Sequence, residues 1–348
     1  MLLAGCGMNK SDSSASKSPS VDMSVSKLHG PAPDFTLADQ SGSPISLHQF
    51  RGKVVILAFV DSECTTVCPL TTQSMVEAKR LLGPAQDQVQ LLGIDANPTA
   101  TAISDVNGYS EAHGLSNAWH FLTGTLPQLK AVWKSYFIQV QIQSGAIDHT
   151  PALYIIDPNG VERYLYLTPM QYDSLPQEAE ILAQDVSGLI PSHPHPLPIR
   201  TASGSSALPA QLPVIGGTWA GSDLALKSTK PRLDLFWATW VPDASHNLKA
   251  LNQYATDAQR SRLPSLDAID VAPTEPSTDS GSALLGQAGY LLYPVVVDSN
   301  GKVADTDSVQ DLPWFTLTGA RGQVLWHHDG WLSVPQLEQL VKKALHIP

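Results

Sequence analysis

The stretch Val54-Val55-Ile56-Leu57-Ala58-Phe59-Val60-Asp61-Ser62-Glu63-Cys64-Thr65-Thr66-Val67-Cys68-Pro69 decides how this chain folds. Seven unbroken apolar residues, Val54 to Val60, read as a strand buried on both faces within a parallel sheet. Two cysteines follow at once in a polar loop. From Thr72 to Leu82 the apolar positions Met75, Val76, Ala78 and Leu82 recur at helical spacing, so an amphipathic helix closes the unit. Apart from Cys6, these two thiols are the only ones among 348 residues, so any redox or soft-metal chemistry of the folded chain is expected there.

Working outward, Ala32-Pro33-Asp34-Phe35-Thr36-Leu37 and the turn Gly52-Lys53 precede the cysteine strand. Beyond it come a second apolar strand, Val89 to Asp95, a helix around Ile103 to His113 and a short helix around Pro127 to Tyr136. A hairpin follows, with strands Ala152 to Ile156 and Arg163 to Leu167 across the turn Asp157-Pro158-Asn159-Gly160. A helix over Pro176 to Ile190 ends this half. Strands alternating with helices and closing in a hairpin predict an α/β thioredoxin-like sandwich, its site at the carboxyl end of the first core strand.

The second half repeats the plan: a strand at Leu233 to Trp240, a helix at His246 to Arg260, a strand at Leu266 to Asp270, a hairpin at Phe315 to Thr318 with Val324 to Trp326, and a helix at Pro335 to Ala344. The expected organisation is a tether over residues 1–27, a thioredoxin-like domain over 28–190, a Pro-rich linker over 191–213 and a second thioredoxin-like domain over 214–348.

A formal net charge of −11 and the lack of clustered Lys and Arg exclude a nucleic-acid partner. No run of about 18 apolar residues is present to span a membrane. Leu3-Ala4-Gly5-Cys6 matches the lipobox at which bacterial lipoprotein precursors are cleaved and lipidated on the new terminal Cys. The Ser-rich residues that follow cannot bury enough apolar surface to fold and read as a spacer. The charged and apolar regions of a signal peptide are missing, so they are expected upstream of Met1. Lipidation at Cys6 leaves two cysteines, an even count suited to an oxidising extracytoplasmic space, with a membrane reached only through the lipid.

At Cys64-Thr65-Thr66-Val67-Cys68-Pro69, with Asp148-His149-Thr150 far downstream, the first domain resembles the SCO/SenC family of copper-delivery proteins. Pro33-Asp34-Phe35, Gly52-Lys53 and Trp119-His120-Phe121-Leu122-Thr123-Gly124 extend the resemblance over about residues 28–190. The segment Asp95-Ala96-Asn97-Pro98-Thr99 departs from the family's usual Asp-Pro and charged stretch. The resemblance implies copper held by Cys64, Cys68 and His149, and a respiratory oxidase copper subunit as client.

The residue types support that chemistry independently. Thiolates favour Cu(I), imidazole accepts either copper oxidation state, and two sulfurs with one nitrogen make a three-coordinate site. An i,i+4 relation places both sulfurs on one helix face. Pro69 at a first helical position makes Cys68 the expected N-cap, where the helix dipole lowers a thiol pKa. His149 is expected in the loop facing the cysteines, with Asp148 either orienting the ring or capping a turn.

The same pair suits disulfide exchange with a thiol-bearing client, and Pro151 is placed where thioredoxin-like oxidoreductases carry a cis-proline; a trans proline opening a strand fits equally. A peroxiredoxin reading of Thr65 to Pro69 lacks that family's upstream Pro and nearby Arg. A static disulfide in a non-enzymatic binding module is the remaining alternative.

In Phe236-Trp237-Ala238-Thr239-Trp240-Val241-Pro242-Asp243-Ala244 the second domain resembles the TlpA/ResA-like oxidoreductases, with Val241 and Ala244 where that pattern has cysteines. Pro313 stands as its cis-proline. Without sulfur this domain is expected to be structural or to bind a partner. Trp237, Trp240, Trp314, Trp326 and Trp331 fill a core or line a groove. His48, His113 and His120 read as surface or core-edge residues, and His193 and His195 as part of a solvated polyproline stretch.

Overall fold

A computed structural model describes residues 25–143, 146–168, 171–198, 208–218, 224–226 and 229–347. Cys6, most of the expected tether and residues 199–207 of the expected linker lie outside the described residues.

All seven residues of the strand Val54–Val60 are buried, for a reason set by strand geometry. Side chains alternate between faces. Val54, Ile56, Ala58 and Val60 meet the helices Val67–Leu81 and Leu175–Leu189 through Met75, Ala78, Leu81, Leu182 and Val186. Val55, Leu57 and Phe59 meet the opposite layer, where Leu129, Val132 and Trp133 project from the helix Leu126–Ser135. A strand covered on both faces cannot alternate apolar with polar, hence the unbroken run.

The sheet runs in the order Val25–Lys27, Glu162–Leu167, Ala152–Ile156, Val54–Val60, Val89–Asp95, His120–Leu122. The last three are parallel; Ala152–Ile156 and Glu162–Leu167 are antiparallel to their neighbours. Gly160 closes their hairpin at φ +71, and a Cβ there would strike the Arg51 guanidinium.

The second sheet runs Val214–Gly216, Val295–Asp298, Ser265–Val271, Arg232–Trp237, Trp314–Thr318, Val324–Asp329. Its four central strands repeat the parallel and antiparallel scheme of the first. Both halves are therefore thioredoxin-like α/β sandwiches. The strand Val295–Asp298 and the helix Ser280–Ala288 were not expected from the sequence, and the expected helix over 246–260 divides at Leu251 into Ala244–Ala250 and Asn252–Arg260. The cysteine helix begins at Val67, five residues before the apolar periodicity, since a proline in a first turn forfeits no intrahelical bond. A further hairpin, Val140–Gln143 with Ala146–His149, precedes Ala152–Ile156.

The two halves are packed together. Leu70 of the cysteine helix, 1% exposed, belongs with Tyr172 and Leu175 to the core built around the second sheet. The Asp305 carboxylate accepts the Tyr172 and Asp173 N–H groups at 3.0 and 2.9 Å. The His113 ring lies 4.8 Å from that of Trp240. The sequence placed His113 at the surface or core edge; it is instead 3% exposed, sandwiched between Tyr109 and Trp240, and burial pushes its pKa down to about 3.

Several carboxyls sit inside this frame. Burial, with the charge of Asp61, raises Asp95 to about 8, and burial with the neighbouring Glu275 raises Asp270 to about 9. The folded chain thus holds these protons more tightly than the unfolded one. That stabilisation is complete below the usual carboxyl pKa of about 4 and is lost as pH rises through the folded values. The melting temperature is expected to fall between pH 6 and pH 9.5, with the upper part of the decline flattened in Asp270→Asn. A melting temperature that rises over that range would contradict the assignment.

Candidate metal centre

Cys64 and Cys68 are free thiols, the first half-buried and the second 2% exposed. The loop that carries them is set by Asp61, at the exit of the cysteine strand. Its Oδ1 accepts the Glu63 N–H at 2.8 Å, and its carbonyl accepts the Cys64 N–H at 3.1 Å, which turns the chain sharply into the helix. Thr66 is the N-cap, and Cys68 stands one residue inside the helix rather than at the cap position expected from the sequence.

That displacement exchanges the roles of the two sulfurs. Cys64 is held below the usual thiol pKa because the Cys68 thiol donates to it, joined by the Thr66 hydroxyl at 3.2 Å and the Thr66 and Cys68 amides; these outweigh its burial. The opening amides of the helix thus stabilise a thiolate at Cys64. Cys68 is pushed well above the usual value by burial, by giving its hydrogen to Cys64, and by the charge of Cys64. The sequence expectation of a lowered Cys68 pKa is therefore corrected: the dipole argument was sound and applies to Cys64.

His149 arrives from the opposite side. It ends the strand Ala146–His149, just before Ala152–Ile156 enters the sheet antiparallel to the cysteine strand. Its Nδ1 lies 3.1 Å from the Thr150 carbonyl oxygen, which fixes Nδ1 as the protonated nitrogen. Nε2 is left as the lone-pair atom and lies 3.7 Å from Cys68 Sγ. Burial lowers the ring pKa against the pull of Thr150 and of the Asp61 and Asp148 charges, which favours the neutral imidazole. The ring's orienting acceptor is the Thr150 carbonyl; Asp148 acts on it only through charge. Thr150–Pro151 is trans, and the one cis peptide among the described residues is Leu312–Pro313. Of the two alternatives left open for Pro151, the trans proline before a strand is the one present, and the cis-proline expected at Pro313 is present.

One residue that the sequence reading passed over ties the loop to the sheet. The Asn97 Nδ2 donates to Asp61 Oδ1 at 2.7 Å and to Glu63 Oε2 at 3.0 Å, while its Oδ1 accepts the Thr99 and Ala100 N–H groups at 2.8 and 3.1 Å. Asn97 is wholly buried. Its only sequence signal was an Asn-Pro-Thr turn after the second strand, in the segment noted as departing from the SCO/SenC pattern.

Other histidines stay apart from this centre. His48 pairs with Asp34 at the surface, His120 pairs with Asp39, and His327 stacks on Trp314 at 5.0 Å. Among the described residues no three His, Cys, Asp or Glu side chains form a preassembled cage. The site consists of a Cys68–His149 contact and a Cys68–Cys64 hydrogen bond, the second occupying the space between the sulfurs with a proton.

Residues 27–184 match the family model SCO1/SenC. The chain is 25% identical over 136 residues to an SCO1 protein homologue of Bacillus subtilis, a match covering 36% of this chain and 68% of that one. It is 28% identical over 152 residues to a Stutzerimonas stutzeri protein named as a candidate for copper binding, covering 41% of this chain and 72% of that one. The chain spans about half the length of the mitochondrial SCO2 homologues of Bos taurus and Mus musculus that it also matches. Among solved structures, Bradyrhizobium japonicum ScoI with copper bound is 22% identical over 46% of this chain and 99% of that one, with a TM-score of 0.39.

The asymmetry of the thiols has a direct readout. Near neutral pH, iodoacetamide is expected to modify Cys64 before Cys68, as mapped by peptide mass spectrometry. As pH rises, the Cys64 rate levels off first while the Cys68 rate keeps climbing. Equal rates, or Cys68 leading, would refute the assignment of the thiolate to Cys64.

Proposed function

We propose that the chain, whose residues 27–184 match the SCO1/SenC family model, binds copper through Cys64, Cys68 and His149 and hands it to the copper subunit of a respiratory oxidase. The observation that carries this reading is the aim of His149. With Nδ1 committed to Thr150, the free Nε2 lone pair is directed at the sulfur of Cys68 inside a largely buried pocket. A packing histidine has no need to present its basic nitrogen to a thiol.

The donor set suits copper as cargo. Two sulfurs and one neutral imidazole match the softness of Cu(I), and a neutral ring needs no deprotonation before it binds. The sulfur proton is the one group in the way. Cys68 holds it well above the usual thiol pKa, so loading displaces it, while Cys64 offers a sulfur already inclined to ionise. Asp61, Asn97 and Thr66 keep the loop in place, which limits the reorganisation that loading requires. Lipidation at Cys6 in an extracytoplasmic space completes the proposal, since a tethered carrier stays near a membrane-bound client.

A second reading, thiol-disulfide exchange, draws on the same asymmetry. The Cys64 thiolate attacks a client disulfide, a Cys64–client bond replaces the client's S–S bond and one client thiolate leaves. Cys68 then loses its proton and displaces the second client sulfur. The client gains two electrons and the pair ends as a disulfide.

Copper titration of the reduced full chain separates the two. The expected result is one copper per chain, with His149→Ala weakening binding by about tenfold or more, the scale of losing one ligand. Wild-type affinity is expected to fall as the medium is acidified, by about tenfold per pH unit for each proton released. Affinity and spectrum unchanged in His149→Ala would remove the metal reading, and retained client reduction by that variant would favour exchange.

A further inference from the structure

The second half touches the cysteine loop with the part of its own fold that corresponds to that loop. The Thr65 hydroxyl, between the two cysteines, donates to the carboxylate of Asp311, two residues before the cis-proline Pro313. Leu70, two residues after Cys68, is buried in the second half's core. The helix that carries Cys68 lies against the turn Ala272–Thr274. On the flank, Trp240 faces His113, and Gly114, at φ +67, admits Pro276 so closely that a Cβ would come within 2.9 Å of the proline ring. Asp305 holds the N–H groups of Tyr172 and Asp173 at the far edge.

Apart from Asp305, on the helix Lys302–Thr306, these contacts come from the loops after Arg232–Trp237 and Ser265–Val271 and from the approach to Trp314–Thr318. In the first half the equivalent positions carry the cysteines and His149. The two halves therefore meet site face to site face. In the second, the face is intact but without nucleophiles: Val241 and Ala244, each 3% exposed, are packed in its core. Trp240 donates its indole N–H to Thr274 at 3.2 Å, and Glu275 accepts the Thr239 N–H at 2.6 Å, so the loops retain a fixed shape. A loop kept rigid after losing its chemistry, and buried against a reactive loop, has the properties of a docking surface.

We propose that the second half is a resident partner of the cysteine loop: the face formed by Trp240, Thr274 and Asp311 covers the approach to Cys68, and Cys68 meets metal or a client thiol only when that face separates. The proposal rests on the reading that the cysteine pair is reactive, and it holds whether the pair carries copper or exchanges thiols. It gives the cysteine-free half a task, which is to keep a carrier from releasing its cargo, or reacting with stray thiols, until a client competes for the same face. The Asp311 and Asp305 contacts are the ones most open to selective removal, because they are hydrogen bonds at the seam rather than core packing.

The test uses the reduced, metal-free full chain carrying Cys6→Ser and Cys64→Ser, so that Cys68 is the one thiol left to follow. A bulky maleimide is applied, and the Cys68 rate is compared with that of the same chain carrying Asp311→Ala and Asp305→Ala. The expected result is a rise of about fivefold or more, with faster hydrogen exchange at the amides of Val67 to Leu70 and unchanged exchange in Val89–Asp95. Asp311→Asn, which keeps the side-chain volume, is expected to give a smaller rise in the same direction and carries the test if circular dichroism shows the double variant unfolded. An unchanged Cys68 rate in a folded variant would overturn the proposal. Since no copper is used, failure of the copper reading and failure of this one are distinguishable.

Discussion

The burial of Val54–Val60 on both faces is the constraint from which the rest of this protein follows. A seven-residue strand with no polar side satisfies its backbone groups only between two other strands, and its side chains only between two layers of helices. Those demands fix the neighbours Val89–Asp95 and Ala152–Ile156 and bring the helices Val67–Leu81 and Leu126–Ser135 to opposite faces. The chain leaves the strand at Asp61, at the one edge of the sheet where loops from several strands converge. Of the candidate metal centre, Cys64 lies on one of those loops, Cys68 in the first turn of the helix behind them, and His149 at the end of the strand Ala146–His149.

From that frame the chemistry is a matter of where protons and lone pairs are held. The helix amides and the Thr66 hydroxyl converge on Cys64, Cys68 retains its proton in an apolar setting, and Thr150 holds the imidazole so that its basic nitrogen faces sulfur. Asn97 secures the arrangement by bonding both acidic residues that precede Cys64. The second half adds a further layer, since its matching face lies over this one and contributes Asp311 to Thr65 and a core to Leu70. Two sheets of one topology thus pack together, one beside the two thiols and the other with Val241 and Ala244 at the matching positions.

Much of this was legible before any coordinates. Val54–Val60 and Ala152–Ile156 coincide with the strands read from the sequence because fully buried strands write themselves as unbroken apolar runs, and Val89–Asp95 does so with only Gln90 and Asp95 as polar residues. Val295–Asp298 was missed because a four-residue run following Tyr293-Pro294 carries too little periodic signal. The hairpin that ends at His149 was missed because its strands are four residues each, too short for alternation of apolar and polar residues to stand out. Trp237, read as core or groove, is fully buried, and Trp240 proved to serve both packing and contact with the first half.

The sequence by itself determined the fold class and the duplication and singled out three candidate site residues, because each rests on local pattern or on scarcity: periodicity for strands and helices, two thiols in an otherwise cysteine-free domain, and one histidine in a matching segment. Tertiary structure alone decided which sulfur ionises more readily, which nitrogen of His149 is free, that Asn97 anchors the loop, and that the second half packs against the cysteine helix. Those properties depend on hydrogen bonds and close contacts between groups some 30 to 250 residues apart, and on a shift of two positions in the helix start, from Cys68 to Thr66 as N-cap. Hydrogen-bond direction and burial change completely with such contacts, whereas the one-dimensional pattern does not change at all.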